Sequence, residues 1–296
     1  MLLAVLVVFV FGVSFVGVKL ALLELPPFAL SAWRFFLAAF PLVLLVPRPR
    51  IPLAVLAGYG FCIGVLQFGL VFSAIALGMP AGLVSLIIQV QVFFTMGLSV
   101  WLFRERVGRA PLLGALIAAV GLGVIGITKV TGGLGIPFLL VILSGLAWAC
   151  GNIVSKKAGR IEPIPFIAWT SLAAPPPLIL LSLVFEPRGA LLTPLLAPTW
   201  TLWLSLLALA YAATVFGFGL WARLLGTHPA AQIAPFALLI PVFGMASTAI
   251  VFGERLTAWQ AVGGLLVLAG LALVVFGPRA DAALFRHARP KEKPSS

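Results

Sequence analysis

FRERVGRAPLLGALIAAVG at residues 103–121 and FGERLTAWQAVGGLLVLAG at residues 252–270 are two versions of one pattern. A shift of 149 residues aligns the Phe-x-Glu-Arg opening and two glycines of the first stretch with those of the second. The same shift carries four further residues onto identical ones: Pro80, Ala81, Phe94 and Met96 onto Pro229, Ala230, Phe243 and Met245. Nine identities on a single offset predict a chain of two related halves.

The composition places both halves in a membrane. Of the 296 residues, 62% are hydrophobic and only 9% are charged, and the mean hydropathy is +1.22. Soluble domains are about 25% charged, and a membrane-spanning helix needs about 20 mostly apolar residues. The apolar runs predict ten spanning helices, at 2–20, 27–46, 53–76, 80–103, 110–128, 137–155, 163–185, 200–222, 229–252 and 258–277.

Five helices per half is an odd number, so the second half should enter the membrane upside down. We therefore predict an all-α membrane protein of two inverted five-helix repeats, at 1–128 and 137–277, followed by a basic cytoplasmic tail at 278–296. Inverted repeats are typical of secondary transporters, whose substrate site lies near the membrane midplane between the halves.

The basic residues predict the orientation. If the N-terminus is cytoplasmic, fourteen of them fall inside, five in the tail and the others at Arg48, Arg50, Arg104, Arg106, Arg109, Lys156, Lys157, Arg160 and Arg223. Four fall outside: Lys19, Lys129, Arg188 and Arg255. The positive-inside rule then predicts a multi-pass membrane protein with both termini in the cytoplasm. Because these charges lie in short loops and not on one folded face, the net charge of +12 does not indicate nucleic-acid binding.

Several longer stretches resemble the EamA family of the drug/metabolite transporter superfamily, and within it the branch of O-acetylserine/cysteine exporters. They are Pro26–Pro41, Gly78–Thr95, Ala147–Lys157, Ile233–Ser247 and the two FxER segments at Phe103–Arg106 and Phe252–Arg255. The resemblance covers residues 1 to about 277. It implies a ten-helix fold with a central cavity and export of small amino-acid derivatives.

The residue types argue against catalysis. His228, His287 and Asp281 lie at a span edge or in the tail, and Cys62 and Cys150 lie in apolar runs without metal-ligand spacing. Acid–base or metal chemistry needs several such groups together in a cleft. We therefore expect neither an enzyme nor a bound metal or cofactor.

A few polar and aromatic residues inside the spans are candidates for binding solute: Ser14, Arg34, Gln67, Ser85, Gln89, Trp148, Asn152 and Tyr211. The fourth span carries two polar pairs, Ser85 with Gln89 and Gln91 with Thr95, on different faces of the helix, so both cannot line one cavity. For each candidate the alternative is a hydrogen bond that holds two helices together.

Arg34 is the only charge well inside a span. It could bind an anionic group of the solute, or it could reach outward to the interface and pair with Glu24. All seven acidic residues map to loops, span ends or the tail. A proton-driven transporter usually needs such a group within the membrane, so we expect a facilitator or exchanger.

These features predict a secondary transporter that exports O-acetylserine-like or cysteine-like metabolites by alternating access. The alternatives are another cargo (an aromatic amino acid, a sugar or a lipid headgroup) or a membrane enzyme or scaffold that transports nothing. The expected partners are the lipid bilayer and a small polar, amphiphilic solute, with the protein as a monomer or a homodimer. The repeated glycines at 114, 121, 263 and 270 could bring helices together within one chain or between two copies.

Overall fold

The computed structural model describes residues 2–104, 107–158, 162–227 and 234–287, and these residues form helices and loops without a β-strand. Within these described ranges, nine helices are long and apolar enough to span a membrane, and a tenth apolar helix is shorter. We number them α1 (Leu2–Ala21), α2 (Pro27–Leu45), α3 (Leu53–Ala76), α4 (Ala81–Phe103), α5 (Arg109–Thr131), α6 (Gly135–Ala158), α7 (Pro163–Phe185), α8 (Trp200–Trp221), α9 (Phe236–Phe252) and α10 (Ala258–Gly277). The predicted ten-helix fold is confirmed; the first residues of the predicted ninth span lie outside the described residues.

Prolines set where some of these helices begin or break. Pro27 and Pro163 stand at the starts of α2 and α7, where the missing N–H costs little. Within α7 the α-helical hydrogen bonding stops at Ser171 and resumes at Pro175, the first of three consecutive prolines. The interruption follows from the ring of proline, which cannot donate a hydrogen bond and clashes with the preceding turn.

Four of the described spans contain or begin with a π-helical or 3₁₀ segment, and these segments occur in matching pairs. A π-helical segment interrupts α3 at Phe61–Gln67, and another interrupts α8 at Ala208–Phe218. A 3₁₀ turn interrupts α4 at Ile88–Val90, and another leads into α9 at Ala234–Leu238. Helix α3 corresponds to α8, and α4 to α9, in the two halves. Such local changes of helix type often mark functional positions.

Helices α5 and α10 form a close antiparallel contact that joins the halves. A Cβ atom added to Gly114 would lie 2.5 Å from the carbonyl oxygen of Gly270, and one added to Gly121 would lie 2.5 Å from that of Gly263. If each glycine is replaced by its counterpart 149 residues away, the pair Gly114 and Gly270 becomes the pair Gly263 and Gly121. The repeated glycines therefore bring the two helices together within one chain, as small residues do in membrane proteins.

Two tryptophans, one on α2 and one on α7, make a second pair of equivalent contacts between the halves. The indole N–H of Trp33 on α2 donates to the carbonyl of Leu191, beyond the end of α7, at 2.9 Å. The indole N–H of Trp169 on α7 donates to the carbonyl of Val46, beyond the end of α2, at 3.3 Å. Because each ring bonds the loop that follows the other helix, Trp33 and Trp169 occupy equivalent places in two inverted halves.

Candidate functional site

A small cavity lies where the two halves meet, between α2, α3, α7 and α8. Its volume is about 20 Å³, room for about one water molecule. Both π-helical segments contribute to its wall, and its lining is aromatic with a few hydroxyl groups, notably Phe35, Tyr59, Phe68, Ser171, Thr214 and Phe218. The cavity therefore combines apolar walls with a few polar atoms, as small-molecule sites do.

Arg34 contacts two residues of this lining. Its side chain is 2% exposed, and its Nε donates to the Thr214 hydroxyl at 3.0 Å. The guanidinium carbon lies 3.9 Å from the centre of the Phe68 ring, within the range of a cation–π interaction. Thr214 in turn donates to the carbonyl of Leu209, five residues earlier, at 2.8 Å. The π-helical segment of α8 thus orients the hydroxyl so that its oxygen can accept from Arg34.

Of the alternatives open for Arg34, pairing with Glu24 is not what the structure shows, since Arg34 bonds Thr214 instead. The Glu24 carboxylate accepts a hydrogen bond from the Thr199 hydroxyl at 2.6 Å, and Thr199 caps the start of α8. Thr214 lies fourteen residues after Trp200, the start of α8, which corresponds to roughly 20 Å of helix. The Arg34 side chain is therefore buried between α2, α3 and α8, where it contacts Phe68 and Thr214.

Two buried side-chain oxygens on α2 and α3 have no hydrogen-bond partner among the described residues. They are Oε1 of Gln67, whose side chain is 3% exposed, and Oγ of Ser31, which is fully buried. Gln67 directly precedes Phe68, and Ser31 lies one helical turn before Arg34 on α2. An unsatisfied buried polar group costs about 1–3 kcal/mol, so each of these atoms would gain from a partner, but neither residue is among those that line the cavity. Sequence reasoning missed Ser31, because a lone serine in an apolar helix gives no distinctive pattern.

Asn152 belongs to a different cluster. Its Nδ2 donates to Oε1 of Gln91 and to the Thr95 hydroxyl, each at 3.0 Å, and so ties α6 to α4. Gln89 faces elsewhere, with Nε2 3.4 Å from the carbonyl of Ala237 at the start of α9. The prediction that Asn152 and Gln89 share one site is therefore not supported by these contacts. Gln89 lies within the 3₁₀ turn Ile88–Val90, Gln91 directly follows the turn, and Gln91 is the one that bonds α6.

The remaining predicted residues donate hydrogen bonds to backbone carbonyls or pack against the hydrophobic core. The Ser14 hydroxyl donates to the carbonyl of Phe11 at 2.7 Å, and that of Ser85 donates to the carbonyl of Gly82 at 2.6 Å. Tyr211 donates to the carbonyl of Phe40 at 2.9 Å. Trp148 is half-buried against the hydrophobic core. Of the eight candidates, Arg34 contacts the lining residues Thr214 and Phe68, and Gln67 has a buried side-chain oxygen without a partner among the described residues.

A second polar cluster lies where α1 and α9 end and α4 begins. The Glu254 carboxylate accepts from Lys19 Nζ at 2.6 Å and from the backbone N–H groups of Ala81 and Gly82, the first residues of α4, at 3.1 and 3.0 Å. Burial alone would raise the pKa of Glu254, but the hydrogen bonds from Lys19, Gly82, Thr248 and Ala81 together lower it. Glu254 therefore caps the start of α4 and pairs with Lys19; Glu105 and Arg106, its counterparts in the first half, lie outside the described residues.

Comparisons with known proteins agree with this architecture. A sequence model of the EamA-like transporter family matches residues 1–127 and 135–276. The chain is 43% identical over 284 residues to a protein of Salmonella typhimurium named "Probable amino-acid metabolite efflux pump", covering 94% of this chain and 95% of that protein. It is 40% identical over 283 residues to an Escherichia coli protein of the same name, again covering 94% and 95%. A solved crystal structure superimposes with a TM-score of 0.65 at 19% identity, covering 97% of this chain and 98% of that one. This protein therefore belongs to the EamA-like transporter family.

Proposed function

We propose that this transporter exports small amino-acid metabolites from the cytoplasm and that the cavity beside Arg34 receives them. The observation that carries the proposal is the buried guanidinium of Arg34, which has one hydrogen bond and no carboxylate partner among the described residues. A carboxylate is the group that an arginine fork binds best, and all amino-acid metabolites of this kind carry one. The names of the Salmonella and Escherichia coli relatives support the same cargo class.

Alternating access is the proposed mechanism. The cavity of about 20 Å³ is too small for an amino acid, so the helices around it must move to admit one. The π and 3₁₀ segments of α3, α4, α8 and α9 supply places where these spans can change their hydrogen bonding. Their pairing across the two halves suits a motion that opens one side of the membrane and then the other.

We expect cells that overproduce the protein to release more O-acetylserine or cysteine into the medium than cells with an empty vector. The physical reason is that a carboxylate-bearing solute gains an ion pair with Arg34 that the bilayer does not offer. Solute released by cells and taken up by proteoliposomes should be measured, with unlabelled competitors from the aromatic amino acids and the sugars. Unchanged release of every tested metabolite, with the protein shown to be in the membrane, would contradict the proposal.

The orientation is part of the same proposal: both termini in the cytoplasm of a bacterium, with Glu254 and Lys19 at the outer surface. The excess of basic residues in the cytoplasmic loops of that arrangement supports it. A reporter that is active only in the periplasm should stay silent when it is fused to the C-terminus. The same reporter fused after Arg188, in a predicted outer loop, should give full signal; the reverse result would invert the topology.

A further inference from the structure

The break in α7 lies in the wall of the cavity. The first half of α7, Pro163–Ser171, ends there, and its last two residues, Thr170 and Ser171, belong to the lining. Gly60 and Gly64 of α3 line the same wall and allow the broken backbone to come close, since a Cβ atom added to Gly60 would meet the carbonyl oxygen of Thr170. A half-helix therefore presents its C-terminal end to the space that the proposed function assigns to the solute.

The three prolines that follow leave this helix end with unpaired carbonyl groups. The carbonyls of Leu172 and Ala173 would normally accept from N–H groups three or four residues later, but those residues are Pro175, Pro176 and Pro177, which have none. No hydrogen bond from another described residue reaches either oxygen. The C-terminal end of a helix also carries about half an elementary negative charge from its aligned peptide dipoles. This end of the half-helix can therefore stabilise a cation without a carboxylate.

Two hydroxyl groups of the cavity lining are free to accept from such a cation. Ser171 is 3% exposed, and its hydroxyl has no hydrogen-bond partner among the described residues. The same holds for the hydroxyl of Tyr59, whose ring packs against Phe166 of the same half-helix. The other hydroxyls of the lining, those of Thr170 and Thr214, already donate to carbonyls of their own helices. Ser171 and Tyr59 are therefore the polar side chains of the lining that a solute can bind without displacing an existing hydrogen bond.

Building on the proposed function, we propose that the broken end of α7 binds the ammonium group of the solute, with the hydroxyl oxygens of Ser171 and Tyr59 as acceptors. An ammonium group has three N–H donors, and it needs oxygen atoms around it when it leaves water. The lining formed by the described residues contains no acidic side chain, so neutral oxygens and the helix end supply the negative potential. Arg34, which bonds the lining residue Thr214, supplies the positive potential for the carboxylate. The two poles match a zwitterionic amino-acid metabolite.

The ammonium site implies a preference for solutes with a free amino group. A carboxylate without an amino group would leave the two hydroxyls and the helix end without a cation. An N-acylated amino acid would bring a neutral amide to the same place, and hydrogen bonds between neutral groups are weaker than those from a charged donor. The transporter should therefore retain simple carboxylates in the cytoplasm, while amino-acid metabolites with different side chains share the site.

O-acetyl-L-serine and 3-acetoxypropanoate make a matched pair of probes, because the second is the first without its amino group. L-Cysteine and 3-mercaptopropanoate, both kept reduced, make a second pair. Proteoliposomes of the full chain should take up the radiolabelled amino compound in competition with each unlabelled compound, at mildly acidic pH, where the protonated amine keeps the acetyl group on oxygen. We expect the compounds without an amino group to compete at least about tenfold more weakly, because they lack the hydrogen bonds of a charged donor.

Ser171→Ala and Tyr59→Phe each remove one hydroxyl group and leave the rest of the side chain in place. Each should weaken binding of the amino compounds roughly threefold to tenfold and leave binding of their partners unchanged, so the preference for the amino group shrinks. Ser73→Ala is the matched control, because the Ser73 hydroxyl lies on α3 outside the lining and donates to the carbonyl of Gly69. This control should keep the preference of the parent protein.

Equal competition by the compounds with and without an amino group would overturn the inference and leave the exporter function standing. An unchanged preference in both Ser171→Ala and Tyr59→Phe would do the same. Absence of transport for every amino-acid metabolite would instead overturn the proposed function, and the ammonium site with it. If one variant does not fold, the preference of the other variant and the competition measured on the unchanged protein decide.

Discussion

Leucine at Gly121 is expected to remove most of the folded protein from the membrane, whereas leucine at Gly123 should leave it intact. A Cβ atom at Gly121 would lie 2.5 Å from the carbonyl oxygen of Gly263, and this neighbour is backbone that cannot rotate away. Helices α5 and α10 would have to separate along the seam that joins the halves. Overpacking of a protein core costs about 1–3 kcal/mol, and a backbone contact has less freedom to adjust, so we expect at least the upper end of that range.

Gly123 is the matched control because it lies two residues away on the same helix and has no atom within 4 Å of an added Cβ. The amount of monodisperse protein in detergent and its melting temperature should be measured for both variants. Similar values for Gly121→Leu and the parent protein would show that α5 and α10 are not in close contact in the folded transporter.

The Glu254→Gln substitution is expected to destabilise the protein and to remove part of its sensitivity to acid. An amide keeps one acceptor for the start of α4, but it loses the charge that binds Lys19. The side chains are 14% and 31% exposed for Glu254 and Lys19, so solvent screens the pair and the cost should be roughly 1–2 kcal/mol. Because the pKa of Glu254 is lowered in the folded protein, its contribution is present above the ordinary glutamate pKa and is lost as the pH falls below it.

Melting temperatures between neutral and strongly acidic pH test this expectation. The parent protein should lose stability below about pH 4, and Glu254→Gln should lose less over the same range. Glu186→Gln is an informative control, since the Glu186 carboxylate caps the start of α2 at Phe28 and Ala29 without a recorded ion pair. Glu162→Gln changes an exposed carboxylate. Equal acid sensitivity of Glu254→Gln and the parent would contradict the assignment.

The lowered pKa of Glu254 also bears on transport. The group stays ionised at neutral pH in this conformation, so it is not poised to take up a proton there. This agrees with the expectation of a facilitator or exchanger, which stays a prediction until the potential and pH dependence are measured.

The sequence predicted the helices well because twenty-residue apolar runs have few other structures open to them in a membrane. The glycines at positions 114 and 121 and their repeats also indicated close helix contact, but the sequence did not decide between contact within one chain and contact between two copies. The direction of Arg34 was not predictable, because it depends on Phe68 and Thr214, which lie far away in the chain. The partner of Asn152 was missed for the same reason. The π segments of α3 and α8 leave no residue pattern, since they arise from how the spans pack.

The reciprocal glycine contact of α5 with α10 has the form of an isologous interface, in which one surface pairs with its own copy. Two copies of a single five-helix unit, inserted in the membrane in opposite orientations, could form the same contact with each other. Every residue of the unit would then occur twice in the assembly. Trp33 and Trp169 are equivalent, and the residues after them are Arg34 and Thr170. Two copies of one unit would place two guanidinium groups beside one cavity, where they would repel each other. Covalent fusion of the halves is what permits a single arginine on one side and a neutral threonine on the other.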